Sequence, residues 1–257
     1  MEDLNLVFGT PRPVALITGS GAPRIGNCIA RTLFAHGYRV VLHARESIAD
    51  AHTTADELDA GGSDTLVLSG DLTDESEAHA VVDGARDHFG RLDVLVNCAA
   101  IWHSRPLEET TAQDLRDHFD ANAVASFLCA QRAGLIMSGQ SHGGAIINLG
   151  DWATLRPYLG YAAYFPSKGA IPTMTRSLAV ELSRRNSRIR VNAVLPGPAM
   201  LPGTLSQTEH DKAIQATLLQ KAGRPEDIAN AVTFLAQSTF ITGVSLPVDG
   251  GRSIGSQ

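Results

Sequence analysis

Four side chains carry the chemistry that this sequence offers most directly: Asn122, Asp151, Tyr164 and Lys168. Tyr164 and Lys168 are four residues apart, so on a helix they share one face. An ammonium beside a phenol favours the phenolate and lowers a pKa that is normally about 10. That turns a phenol into a proton donor or acceptor near neutral pH. Asp151 follows an apolar stretch, residues 145–149, at the point where an α/β sheet builds its site. A carboxyl there can hold and deliver a proton if burial raises its pKa; otherwise it is ionised and caps nearby amides. Asn122 lies inside a helix-patterned segment, where its side chain competes with the backbone. That points to a capped bulge and a water held near Lys168. Taken alone, the same residues could be a surface tyrosine, a solvated lysine and a turn aspartate.

The elements that must position them can be read in order. Residues 14–18 (VALIT) form an apolar run ending at glycine, the pattern of a buried parallel strand. Residues 18–26 (TGSGAPRIG) lead from it into a helix over residues 25–36. Glycine lets the backbone approach a phosphate and a helix N-terminus attracts negative charge, so Gly19, Arg24, Ile25 and Gly26 are candidates to bind a cofactor. An ordinary glycine-rich turn is the alternative. The second strand, residues 38–43, is followed by Ala44, Arg45, Glu46 and Ser47. Enzymes that use NAD place an acid at this strand end to hold the ribose hydroxyls. Here Arg45 follows instead, and a guanidinium can pair bidentately with a 2′-phosphate. That favours NADP, with Glu46 placed to neutralise the charge.

A helix over residues 48–60 stops at Gly61 and Gly62, and a third strand covers residues 65–69. Asp71, followed by Leu72, either bonds an adenine amino group or belongs to the N-cap region of a helix over residues 74–89. A fourth strand, residues 91–97, ends at Asn97 and is followed by Cys98, Ala99 and Ala100, small enough for a flat cofactor to lie over the backbone. Trp102 comes next, as half-core or as one wall of a site for a planar ring. Residues 111–137 read as one long helix. After the Tyr164/Lys168 helix come a strand over residues 188–195 closed by Pro196 and Gly197, a mobile substrate loop over residues 197–222 with a short helix, a helix over residues 225–237 with proline in its first turn, and a last strand within residues 241–248. Alternating strands and helices imply right-handed crossovers and a parallel, doubly wound α/β sheet.

Composition narrows the classes. A chain of 257 residues suits one α/β domain. With 44% hydrophobic and 19% charged residues it reads as soluble and globular. A net charge of −6 argues against nucleic-acid binding and against attraction to anionic membranes. No signal peptide or apolar run long enough to span a bilayer is present. The three cysteines, Cys28, Cys98 and Cys129, read as reduced core thiols of a cytoplasmic protein. No metal-ligand spacing appears, and His36, His88 and His118 fall where helix surfaces are expected.

At this point the chain resembles the short-chain dehydrogenase/reductase family over nearly its whole length. The motifs are the residue 18–26 turn, Asp71, the run from Asn97 to Ala100, Asn122, Tyr164 with Lys168, Pro196–Gly197 and the Asp249-Gly250-Gly251 tail. The resemblance implies a single Rossmann-type domain with a seven-stranded sheet and helices on both faces. It implies a nicotinamide cofactor, Tyr164 as catalytic acid/base, and Lys168 on the nicotinamide ribose. It further implies a homodimer or homotetramer packed through two long helices. Asp151 stands where most of the family has serine, and Arg24 replaces the middle glycine of the turn. Both features, the segment from His43 to Ser47, the residue 199–202 run (AMLP) and Trp102 resemble the pteridine reductase branch. That branch implies cofactor contacts at His43 and Ser47, an NADP(H)-dependent reduction of a C=N or C=O group, and a pterin as substrate. Cys98 and Ala100 depart from its pattern. An ordinary ketone or aldehyde reductase, a secondary-alcohol dehydrogenase, and an NADP-binding sensor or scaffold without turnover are the competing readings.

Overall fold

The apolar runs in the middle of the sheet become strands buried on both faces, as their lack of alternation requires, while the two edge strands stay partly exposed. The computed structural model describes residues 3–201 and 206–255; Pro202, the last residue of the 199–202 run, and three neighbours in the substrate loop lie outside the described residues. The strands are β1 (Val14–Ile17), β2 (Arg39–Ala44), β3 (Thr65–Ser69), β4 (Val94–Asn97), β5 (Gly144–Leu149), β6 (Ile189–Pro196) and β7 (Ser245–Val248). They form one seven-stranded sheet in the order β3-β2-β1-β4-β5-β6-β7, and every pairing is parallel. This is the doubly wound Rossmann topology, in which ligands sit beyond the carboxyl ends of the strands where the order reverses, here between β1 and β4.

The helices are α1 (Leu4–Phe8), α2 (Ile25–Ala35), α3 (Ile48–Leu58), α4 (Glu75–Phe89), α5 (Ala112–Phe119), α6 (Ala125–Ser138), α7 (Tyr164–Ser183), α8 (Gln207–Gln215) and α9 (Pro225–Gln237). Residues of α2, α3 and α9 bury one sheet face with Ile17, Leu42, Val96 and Ile147. Residues of α4, α6 and α7 bury the other with Leu16, Val41, Leu95 and Ile146. The thiols are free; burial pushes Cys98 up to about 11 and Cys129 to about 12.

A short helix precedes β1: α1 is capped by Asp3, whose side chain accepts from the Asn5 N–H, and is stopped by Gly9 in the left-handed region. Phe8 is buried with its ring edge-on to Tyr38. Five residues are too few for a helical period to declare itself. The single helix over residues 111–137 is divided by a π-helical turn, Asp120–Val124, that contains Asn122. Such turns insert one residue into a helix and concentrate at functional sites.

Candidate active site

The site is built where β4 and β5 end side by side. Asn97 and Asn148 pair in register across these strands, and the chain then leaves β5 through Gly150 into Asp151. Asp151 divides its carboxylate. Oδ1 accepts from the Ala153 N–H at 2.8 Å, capping the short turn Trp152–Thr154; Oδ2 accepts from the Tyr164 hydroxyl at 2.7 Å. One oxygen thus makes the amide cap and the other receives the phenol. Burial raises the Asp151 pKa above the ordinary carboxylate range, against the lowering effect of the Ala153 and Tyr164 hydrogen bonds and the Lys168 charge.

The expected lowering of the Tyr164 pKa is reversed. Burial, then the charge and hydrogen bond of Asp151, push the phenol well above its usual value and hold it protonated. Lys168 shares the helix face, but its Nζ is taken by the Leu149 carbonyl at 2.9 Å. That ammonium is itself pushed down by burial, with Asp151 and Cys98 opposing. Sequence spacing sets which face two residues share; it does not set which acceptor a flexible ammonium reaches.

Asn122 is fully buried, and its side chain is not free to bind a ligand. Oδ1 accepts from the Ile101 N–H at 2.8 Å, and Nδ2 donates to the Ile101 carbonyl at 3.1 Å and to Ser167 Oγ at 3.0 Å. It fastens the chain beyond β4 to α7, one position before Lys168. Trp102 follows directly, 41% exposed, with one face stacked on Tyr161 at 5.2 Å and 10° between planes. It is not core: its other face is open beside the approach to Tyr164.

The glycine-rich turn fits the diphosphate of a nicotinamide dinucleotide. Gly19 has φ +64°, and a Cβ there would lie 2.7 Å from Ala99 Cα; one on Gly26 would lie 2.6 Å from the Gly19 carbonyl oxygen. The turn therefore packs against Ala99, just past β4, as tightly as backbone allows. The first N–H groups of α2 lack intrahelical acceptors, as at any helix start. Arg24, at the N-cap, is exposed and among the described residues has no acidic partner. Ile25 and Gly26 begin the helix, and Ser47 Oγ lies against Gly21, where a Cβ would come within 2.5 Å.

His43 is corrected from cofactor contact to internal strut. Its ring is buried, Nδ1 accepts from the Gly19 N–H at 3.2 Å, and Nε2 is left to donate to the Gly70 carbonyl at 3.0 Å. Neither nitrogen is free. Burial lowers its pKa and keeps it neutral. Arg45 stands at the end of β2, paired with Glu46 at 2.8 Å and Asp71 at 3.5 Å. Glu46 does reach it, as its position suggested. Asp71 is not the helix cap, which is Asp74; it accepts from the Thr73 N–H and hydroxyl, bonds that hold its carboxyl below the usual range. Leu72 is buried. Asn97 donates to the Ser126 carbonyl and to Asn148 Oδ1, both at 2.9 Å. Pro196 ends β6, and Gly197 is required because a Cβ would lie 2.3 Å from Asp249 Cα.

Sequence reasoning missed four contributors. His118, expected on a helix surface, is buried with its ring 6.0 Å from that of Tyr164. Tyr158 and Tyr161 join Trp102, Trp152 and Phe165 in an aromatic wall beside Tyr164. Tyr158, Tyr161 and Tyr164 recur every third residue, a signal that was available. Arg252 from the C-terminal turn lies over the Trp152 ring at 5.2 Å and donates to the Ala216 carbonyl beyond α8, bracing this wall against the substrate loop.

The sequence model of a family described as Enoyl-(Acyl carrier protein) reductase matches residues 21–253. Among curated relatives, a putative ketoacyl reductase 2 of the granaticin polyketide synthase from Streptomyces violaceoruber is 36% identical, covering 94% of this chain and 96% of its own. Pteridine reductase 1 of Leishmania tarentolae is 34% identical over 94% of this chain and 96% of its own. The 3-oxoacyl-[acyl-carrier-protein] reductase FabG of Staphylococcus aureus is 34% identical over 92% and 96%. The matched length, the all-parallel sheet and the buried Asn122, Tyr164 and Lys168 lead to one conclusion: the chain belongs to the short-chain dehydrogenase/reductase family of oxidoreductases, which work with a nicotinamide cofactor.

Proposed function

We propose that the protein is an NADP(H)-dependent reductase of a C=N or C=O group in a small planar substrate, with a reduced pterin as the first candidate. The observation that carries this reading is the hydrogen bond from Tyr164 to the buried Asp151 carboxyl. The nicotinamide, when bound, supplies the hydride. Gly19, Arg24, Ile25 and Gly26 hold the diphosphate, Asn97 and Ala99 shape the floor, and Pro196 and Gly197 close the nicotinamide end. Arg45 carries the preference for a 2′-phosphate, exchanging part of its pairing with Glu46 and Asp71 for it. The negative charge that grows on the substrate heteroatom takes a proton from Tyr164, and Lys168, whose ammonium the Leu149 carbonyl holds, binds the nicotinamide ribose and assists from there. Asp151, raised by burial, holds a second proton for a ring nitrogen. Trp102 and Tyr161 present a flat apolar wall for a planar ring.

The likeness to ketoacyl reductases supports an ordinary ketone reductase as the second reading. Against it stands Asp151, for which a plain ketone has no use, because the developing alkoxide takes a single proton and Tyr164 supplies it. A sensor without turnover would have no need of Tyr164 and Lys168 buried together. Exposed Phe127 and Leu135 on α6 and Val180 on α7 support a homodimer or homotetramer, and the free thiols support a cytoplasmic setting.

The experiment is oxidation of NADPH, and of NADH in parallel, with dihydrobiopterin or dihydrofolate beside simple ketones and diketones. Reduction of the pterins with NADPH, shifting towards ketones in Asp151→Ser, is the expected result. Turnover of ketones alone, unchanged by Asp151→Ser, would leave the second reading standing.

A further inference from the structure

The segment that carries Trp102 is fastened to one helical face at regular steps. Asp114, His118 and Asn122 are spaced four apart along α5 and the π turn; they hold residues 105, 103 and 101, spaced two apart on an extended segment. Asp114 Oδ1 pairs with Arg105 Nε at 3.1 Å. His118 Nε2 accepts from the His103 N–H at 3.3 Å. Asn122 bonds both the N–H and the carbonyl of Ile101.

The even-numbered residues then face the other way. Trp102 stacks on Tyr161. A Cβ on Gly160 would lie 2.9 Å from Ser104 Oγ, and the Arg105 N–H donates to the Gly160 carbonyl at 2.8 Å. Residues 160 and 161 lead into the first turn of α7, where the Tyr164 ring is 6.1 Å from Tyr161. The extended segment is therefore clamped between the helix and the approach to Tyr164.

We propose that His118 and Asp114 are positioning residues that set the Trp102–Tyr161 wall relative to Tyr164, and so determine which planar substrates fit. His118 acts through the backbone it holds: its Nδ1 donates to the Asp114 carbonyl at 2.7 Å, which leaves Nε2 as the acceptor for His103. Asp114 Oδ2 also accepts from the Thr111 N–H at 2.8 Å and from its hydroxyl. One carboxylate thus ties the start of α5 to the outermost rung. The kinetic consequence rests on the reductase reading; the rungs themselves do not.

His118→Phe keeps a ring but removes the acceptor, and His118→Gln keeps an acceptor. Hydrogen exchange over residues 99–106 reads the rung directly; steady-state kinetics with NADPH and the panel compound that is reduced read its consequence. The Phe variant should exchange faster at the His103 amide and raise the substrate KM about three- to tenfold, as for one lost hydrogen bond. Its kcat and NADPH KM should stay within about twofold, and Gln should restore exchange and KM together. Arg105→Met alters the exposed outer rung without touching the core and should shift the substrate KM the same way by less. It decides the matter if a His118 variant does not fold. Unchanged exchange in His118→Phe overturns the rung. Faster exchange with an unchanged substrate KM overturns the positioning role, as do equal rises in both KM values or a Gln variant no better than Phe. If no panel compound is reduced, that failure belongs to the reductase reading, and exchange at His103 with its rescue by Gln still decides the ladder.

Discussion

Tyr164 and Asp151 share one hydrogen bond inside a wall of aromatic rings; Asp151 makes the phenol harder to ionise, while the phenol's hydrogen bond opposes the rise that burial imposes on Asp151. Tyr164→Phe removes one hydroxyl and no packing volume. Turnover should fall by about two to four orders of magnitude, the range for a lost acid/base group, while NADPH binding by fluorescence titration stays near normal. A variant with near-normal turnover would remove Tyr164 from the mechanism. Asp151 yields a prediction of opposite sign for stability. Its folded pKa is raised, so the stability linked to its protonation is fully present below the unfolded value of about 3.9 and is lost as pH rises through the raised folded pKa. Above that folded pKa the buried charge is a cost. Asp151→Asn should therefore lose activity without lowering the melting temperature at pH 8, and its advantage over the native chain should shrink as pH falls towards 4. Melts across that range check the sign, and a clear destabilisation at pH 8 would mean that the carboxylate is needed by the fold.

At the scale of elements, the turn between β1 and α2 is held from three sides. Ala99 packs on Gly19, the Gly19 carbonyl lies under Gly26, and His43 ties the Gly19 N–H to Gly70 beyond β3. Thr18 adds a fourth tie, its Oγ accepting from the N–H groups of Cys98 at 2.9 Å and Ala99 at 3.1 Å. Gly19→Ala would need a side chain at φ +64° within 2.7 Å of Ala99 Cα, so the turn must move. Cofactor affinity should fall at least about tenfold, in line with 1–3 kcal/mol of backbone strain, with little change in substrate KM at saturating cofactor. Isothermal titration with NADPH measures it. Affinity within twofold of the native value would mean that the turn does not need its present shape.

Across the whole molecule, a polar chain crosses the otherwise apolar layer between sheet and helices. Asn97 Nδ2 reaches the Ser126 carbonyl and Asn148 Oδ1, and Asn148 Nδ2 reaches Thr175 Oγ1 at 3.0 Å. It joins β4, β5, α6 and α7, the four elements that carry the site. Asn148→Ala leaves buried partners unsatisfied, at about 2–3 kcal/mol. In a chain of this size that lowers the melting temperature by roughly 5–10 °C, measurable by circular dichroism. A loss below about 2 °C would mean that water replaces the amide.

What the amino-acid order determined is whatever depends on local period and residue type. Apolar runs without alternation specified buried parallel strands, Gly19 and Gly26 specified a tight turn, and Tyr164 with Lys168 specified a shared helix face. The proline of α9 marked its own helix start. What only tertiary structure decided is which partner each polar atom reaches. Lys168 turned to Leu149 and left Tyr164 to Asp151, reversing a pKa direction that spacing alone suggested. His43 went inside because Gly19 and Gly70, distant in sequence, offered both ring nitrogens a partner, and His118 because the loop at His103 met the ring nitrogen that its own helix left free; a histidine with two partners is no longer compelled to face water. The π turn at Asn122 and the five-residue α1 are likewise held by contacts from elsewhere in the fold, Ile101 for one and Tyr38 for the other, and no period in their own residues announces them.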